Sequence, residues 1–297
     1  MKLWDKGSSP DEKTDLFTVG NDRELDLLLV KYDLQASRAH ARMLGKIGLL
    51  TEAETADLVR EIDALMDEEA AGRFTIEAGF EDMHSKIEYL LTEKLGDTGK
   101  KIHTARSRND QVLVALQLYL KDALSDVQHQ VRMLFDRLLE LAEKHQAVPL
   151  PGYTHLQVAM PSSFGLWFSA YAESLIDDVY LLEAARRVAD QNPLGSAAGY
   201  GSSFPIDREF TTEALGFETM KYNVVAAQMG RGKVERTAAT ALAAVAATLG
   251  KLAMDICLYM SQNFGFVSFP DKLTTGSSIM PHKKNPDIFE LIRGKCN

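Results

Sequence analysis

Cysteine is nearly absent. Cys257 and Cys296 are too few for a disulfide framework, and a reducing, cytoplasmic setting is the expectation. Metal-ligand spacing is missing as well: no set of His, Cys, Asp and Glu recurs at intervals that would close around an ion, so no metal is expected. The stretch GSAAGYG at 195–201 fits neither G-x-G-x-x-G nor a P-loop, and GRGK at 230–233 lacks the P-loop spacing. The first reads as a turn, and no cofactor is expected. Long apolar runs are scarce. The most lipid-like segment, Thr237–Met260, is mostly alanine and is interrupted by Lys251 and Asp255, which favours a buried bundle helix over a membrane span. The opening MKLWDKGSSPDEKTD lacks the apolar core of a signal peptide. Positive charge is in deficit. A net charge of −9 argues against nucleic-acid binding, so an anionic small molecule would need a local cluster of cations.

Proline is scarce too, at nine residues, while leucine and alanine recur in long tracts. Helix is therefore expected almost everywhere. Residues 1–104 read as a smaller N-terminal helical domain of short elements. A helix capped by Asn21 or Asp22 stops near Gly45 or Gly48; a second opens on the capping box Thr51/Glu54 and ends at Gly72; a third covers the EDMHSKIEYLLTEKLG stretch. Residues 105–297 read as a bundle of long helices. Leu116, Leu120, Leu124, Val127, Val131, Leu134, Leu138 and Leu141 advance in steps of three and four, the seam of a coiled-coil-like helix. From Asp110 to His145 that helix would be about 50 Å long. A second long helix is expected from behind Pro161 to Asp190, and a third from Gly232 to Phe264. The fold class is thus an all-α, elongated long-helix bundle, with a small hairpin near Gly195–Pro205 as the one strand candidate. A last helix, capped by Asn285 with Pro286 at its first position, stops after roughly three turns. The long seam wants partners of similar length, so further helices are expected beyond Asn297.

Four polar segments flank the long helices: TVGND at 18–22, HTARSRNDQ at 103–111, PGYTHLQ at 151–157 and TTGSSIMPHKKNP at 274–286. Loops on a rigid scaffold are where chemistry concentrates. Several residues have plain structural readings. Asn109-Asp110 is a natural helix cap, Arg106 and Arg108 could be solvated charges, and His155 a satisfied loop histidine. His40, His84, His129 and His145 lie on helical stretches and read as structural. The last loop is harder to dismiss. Lys283 and Lys284 stand together beside Gly276-Ser277-Ser278, and a helix start aims its positive end at them. A hydroxyl becomes a usable base where its deprotonated form is stabilised. Proton removal next to a carboxylate generates a doubly charged aci-carboxylate, and such a pocket would hold it.

These residues carry a resemblance. GSSIMPHKKNP resembles the G-S-S-x-M-P-x-K-x-N-P signature of the fumarase/aspartase superfamily, whose members release fumarate by elimination. HTARSRNDQ, PGYTHLQ, NPLGSAAGYGSSFPIDRE and the EDMH helix are similar to segments of the argininosuccinate lyase family. The resemblance implies Ser277 as catalytic base, His155 in acid catalysis or charge stabilisation, and Glu290 as its carboxylate partner. It implies Lys283 and Asn285 on the substrate carboxylates, Asn109, Thr154 and Thr18 as substrate contacts, and Arg108 in anion binding. Arg106 matches the same motif without a settled role. It also implies a homotetramer whose sites draw on three subunits, and no cofactor or metal. Two departures stand out: His282 replaces a glutamine, and QMGRGKVER replaces the S-x-R-D segment, although Arg231 matches its arginine. Another fumarate-releasing lyase, of the adenylosuccinate type, and a non-catalytic crystallin-like protein remain the alternatives.

Overall fold

The computed structural model describes residues 17–297; the reading of the first fifteen residues falls outside them. The chain forms two compact units. The first joins residues up to 122 with 187–235, and the second joins 123–186 with 236–297. The boundaries fall inside three long helices, so neither unit is one continuous stretch.

The first unit is built on α1 (Val30–Lys46), α2 (Glu52–Ala70) and α3 (Met83–Leu95). Asn21 makes no side-chain cap, and the expected long first helix is broken: a short turn at Asp22–Leu25 and a 3-10 turn at Asp26–Leu28 precede α1. Helix α2 has the full capping box, with Thr51 accepting from the Glu54 amide and Glu54 accepting from the Thr51 amide. Gly48 and Gly72, both at positive φ, stand just beyond the ends of α1 and α2. Helices α1 and α2 approach closely enough that a Cβ on Gly45 would collide with Thr55. The first turns of α4 (Arg108–Lys144) complete this unit together with residues 187–235. Its core comprises Val30, Leu34, Leu44, Leu58, Ile62, Met83, Leu91, Ile102, Val114, Leu118, Leu194 and Phe217. Each contributes about 1.5–3 kcal/mol by leaving water.

The second unit holds the rest of α4, α5 (Phe164–Ala189) and α8 (Lys233–Met260), apart from the helix ends that belong to the first unit. Along α4 the seam is only half covered. Leu124, Val131 and Leu138, seven residues apart, are buried, whereas Val127, Leu134 and Leu141, which alternate with them, stay partly exposed. Helix α8 is long and apolar enough to cross a membrane by length and composition. It nonetheless carries Asp255, whose carboxylate accepts from Trp167 Nε1 at 3.0 Å and Tyr171 OH at 2.7 Å on α5. That buried-side polar tie suits helix-on-helix packing. Helix α9 (Asp287–Lys295) lies against α8, with Arg293 reaching Met254 and Cys296 beside Gly250.

The hairpin is not where it was expected. Residues 195–205 form none; the antiparallel pair is β1 (Pro149–Thr154) with β2 (Gln157–Ser163), in register Thr154↔Gln157 and Pro149↔Ser163. Three prolines in the two strands hide the pattern, since proline removes a ladder donor. A two-residue parallel pair, β3 (Gln191–Asn192) with β4 (Thr219–Met220), lies in the first unit. The same unit holds α6 (Arg208–Ala214) and α7 (Val224–Met229).

Candidate functional site

In the first unit, two of the sequence motifs interlock. Asp82 caps α3 by accepting from the Ser85 amide at 2.7 Å, and the same oxygen accepts from Arg108 Nη1 at 2.5 Å. Burial works to raise the Asp82 carboxyl, but Arg108, His84 and Ser85 outweigh it and hold it below the usual range. Arg108 also lies 3.9 Å from Glu88. It is therefore a partly exposed cation already bound to a carboxylate, and an incoming anion would share it. Arg106 is no surface charge: it is buried and donates to Ser37 Oγ at 2.9 Å. Burial depresses its pKa, opposed by Asp33, Asp110 and Glu88. Beneath it Asp33, fully buried, stands 3.1 Å from His84 Nδ1 and accepts from Gln111 Nε2 at 3.0 Å. His40 donates from Nε2 to the Thr104 carbonyl, and burial followed by Arg106 pushes its pKa down to about 3. His40 and His84 are both buried within the helices on which the sequence placed them. Thr18 is exposed in the helical stretch 17–19 that precedes the Asp22–Leu25 turn, and Arg231 is exposed after α7.

Asp110 is more than a cap. One oxygen accepts from the Ser107 amide at 2.9 Å, closing the first turn of α4. The other accepts from the Gly195 and Ala197 amides, both at 2.9 Å. Gly195 and Ala197 have φ +89 and +50, so alternate N–H groups converge in an anion-binding concavity. The glycine-rich stretch is indeed a turn, and its anion is the protein's own carboxylate. Arg208 secures the loop from behind, donating to the Leu194, Lys221 and Tyr222 carbonyls. Sequence spacing missed this arrangement because its two halves are 85 residues apart.

In the second unit, Thr154 and His155 sit at the hairpin tip. His155 and Leu156 form the two-residue turn, both left-handed, at φ 52 and 59. That conformation normally selects Asn-Gly. His155 lines a cleft of about 460 Å³ with Tyr153, Trp167, Asp255, Tyr259 and Phe264.

The TTGSSIMPHKKNP loop is closed at its base. The Asn285 amide donates to the Thr275 carbonyl at 2.8 Å, and Asn285 Nδ2 to Thr275 Oγ1 at 3.3 Å. Asn285 thus helps close the loop and does not cap α9, which starts at Asp287 behind Pro286. Asp287 and Glu290 stand in that first helical turn, so carboxylates meet the positive helix end from the outset. Both lysines are exposed, but Lys284 is also paired with Asp271. Within the loop, Ser277 Oγ accepts from the Ile279 and Met280 amides, both at 3.3 Å. Two N–H donors favour the deprotonated hydroxyl, a task the sequence assigned to the lysines and the helix start. Glu290 lies beside Cys257, whose thiol is raised by burial and then by Glu290. Among the described residues no hydrogen bond or ion pair joins Ser277, His155, Lys283 and Glu290 to one another, and no group of three or more His, Cys, Asp and Glu could hold a metal ion.

Residues 11–297 match the family described as Lyase. The argininosuccinate lyase of Parabacteroides distasonis is 59% identical over all 297 residues, which cover 67% of that protein. That of Phocaeicola vulgatus is likewise 59% identical, with 100% and 67% coverage. A crystal structure of EDDS lyase in complex with formate superposes with a TM-score of 0.82 at 26% identity, covering 98% of this chain and 57% of that one. The chain thus spans about two thirds of the length of its curated relatives.

Proposed function

The chain belongs to the argininosuccinate lyase family, and from that premise we propose that it cleaves argininosuccinate to arginine and fumarate, as a step of arginine biosynthesis in the cytoplasm. Ser277 removes a proton from the succinyl carbon. The electron pair left behind spreads into the adjacent carboxylate, and the resulting dianion is held by Lys283 and Asn285. The carbon–nitrogen bond then breaks, and the guanidino group leaves as part of arginine, assisted by His155 as proton donor or charge stabiliser, with Glu290 as its partner. Arg108, Asn109, Thr154 and Thr18 bind the rest of the substrate. Because the leaving group departs into a delocalised cation, the main catalytic demand is stabilising the carbanion.

The observation that carries this reading is the Ser277 hydroxyl, held by two backbone amides in a loop closed by Thr275 and Asn285. A homotetramer whose sites are completed by other subunits is in keeping with the lack, among the described residues, of any hydrogen bond or ion pair joining Ser277, His155 and Glu290. The experiment is direct: argininosuccinate and adenylosuccinate are supplied in turn and fumarate is followed by its ultraviolet absorbance. Fumarate and arginine from the first substrate alone are expected. Release from adenylosuccinate alone would transfer the reading to that lyase, and no fumarate from either would leave the crystallin-like alternative.

A further inference from the structure

The carboxylate of Asp110 serves two distant pieces of backbone at once. It is fully buried and receives three N–H groups: Ser107 on the turn before α4, and Gly195 and Ala197 on the glycine-rich loop, each at 2.9 Å. The loop itself is braced. A Cβ on Gly195 would lie 2.8 Å from Arg208 Cγ, and Gln228 Nε2 donates to Ser196 Oγ at 2.8 Å and to the Ala197 carbonyl at 3.2 Å. Ala197 adopts a left-handed φ of +50, a conformation that costs an L-residue about 1–2 kcal/mol and persists where its surroundings demand it. What demands it is the amide directed at Asp110. A braced loop is thus fastened, through one side chain, to the turn that carries Arg108 and Asn109.

We propose that Asp110 is a positioning residue that fixes Arg108 and Asn109 for substrate by tying their turn to the Gly195–Ala197 loop. The inference rests on the reading that those two residues meet the substrate. A purely electrostatic role predicts the opposite sign. Asp110 offsets the charge of Arg106, so removing its charge without moving the turn would strengthen the attraction for an anionic substrate and lower KM.

Asp110→Asn separates the two. It keeps the volume but offers one acceptor and an amide donor where three N–H groups converge. Amide exchange at Gly195 and Ala197 is expected to quicken about tenfold or more, and KM for argininosuccinate to rise about tenfold with kcat changed less. Gln228→Ala loosens the same loop from its other side without altering charge, and is expected to raise exchange and KM in the same direction by a smaller factor. A lower or unchanged KM in Asp110→Asn, or unchanged exchange, overturns the proposal. If that variant does not fold, Gln228→Ala decides, and faster exchange with an unmoved KM counts against the tie. A wild-type enzyme silent on argininosuccinate defeats the substrate reading instead, and the exchange rates then test the tie alone.

Discussion

At the scale of single residues, the chemistry depends on which polar groups are left free to act. Ser277 has two amide donors and no basic partner of its own within the loop. Ser277→Ala should therefore lower turnover about 100-fold or more, while circular dichroism and assembly stay unchanged; near-normal fumarate release would remove serine from the role of base. His40 is the opposite case, a histidine held neutral. Its folded pKa of about 3 lies below the ordinary value near 6.5, so the unfolded chain takes up the proton first as pH falls. The stability it allows is complete above about pH 6.5 and is lost progressively below it, by about 2 kcal/mol at about pH 5. His40→Gln keeps a donor for the Thr104 carbonyl. Its urea midpoint should fall less than that of wild type between about pH 7.5 and about pH 5, and parallel titrations of the two proteins would dismiss the assignment. The motif residues were legible as a set because the loop signature is contiguous. The pairing of Asp82 with Arg108 and the burial of Arg106 were not, since both depend on helices brought together from separate parts of the chain.

At the scale of elements, local rules and their exceptions separate cleanly. The capping box of α2 and the glycines after α1 and α2 stand where sequence places them, because capping is settled within four residues. Thr51→Ala should cost about 1 kcal/mol, read as a lower urea midpoint. The hairpin obeys no such local signal. Its turn spends two left-handed residues, His155 and Leu156, where glycine or asparagine is the easy choice. Leu156 is 72% exposed, so its side chain gives little packing in return. Leu156→Gly should raise stability by up to about 1 kcal/mol by relieving the turn, whereas Leu156→Ala should not. If the two variants unfold alike, the turn holds no strain. Asn285 is a further exception. Read as a helix cap, it instead closes the Ser277 loop on Thr275, because the pairing of residues 275 and 285 offers it a nearer partner.

At the scale of the whole molecule, the second unit leaves apolar surface uncovered. Every second position of the α4 seam is partly exposed, and Ile176, Tyr180 and Leu181 on α5 are 41%, 65% and 48% exposed. Surface of that kind marks an interface, consistent with the proposed homotetramer. Leu181→Glu should lower the mass measured by light scattering without changing helix content, because the side chain is outside the unit's own core. An unchanged mass would place the subunit contacts elsewhere. The helical class, the long seam and the loop carrying Ser277 follow from the amino-acid order alone, since periodicity, capping and a contiguous signature are local properties. The tertiary structure alone decided that Asp110 fills the glycine-rich loop, that Arg108 answers to Asp82, and that the two units each draw on separated stretches of chain. Those outcomes turn on which distant groups meet once water is excluded, and no spacing along the chain encodes that.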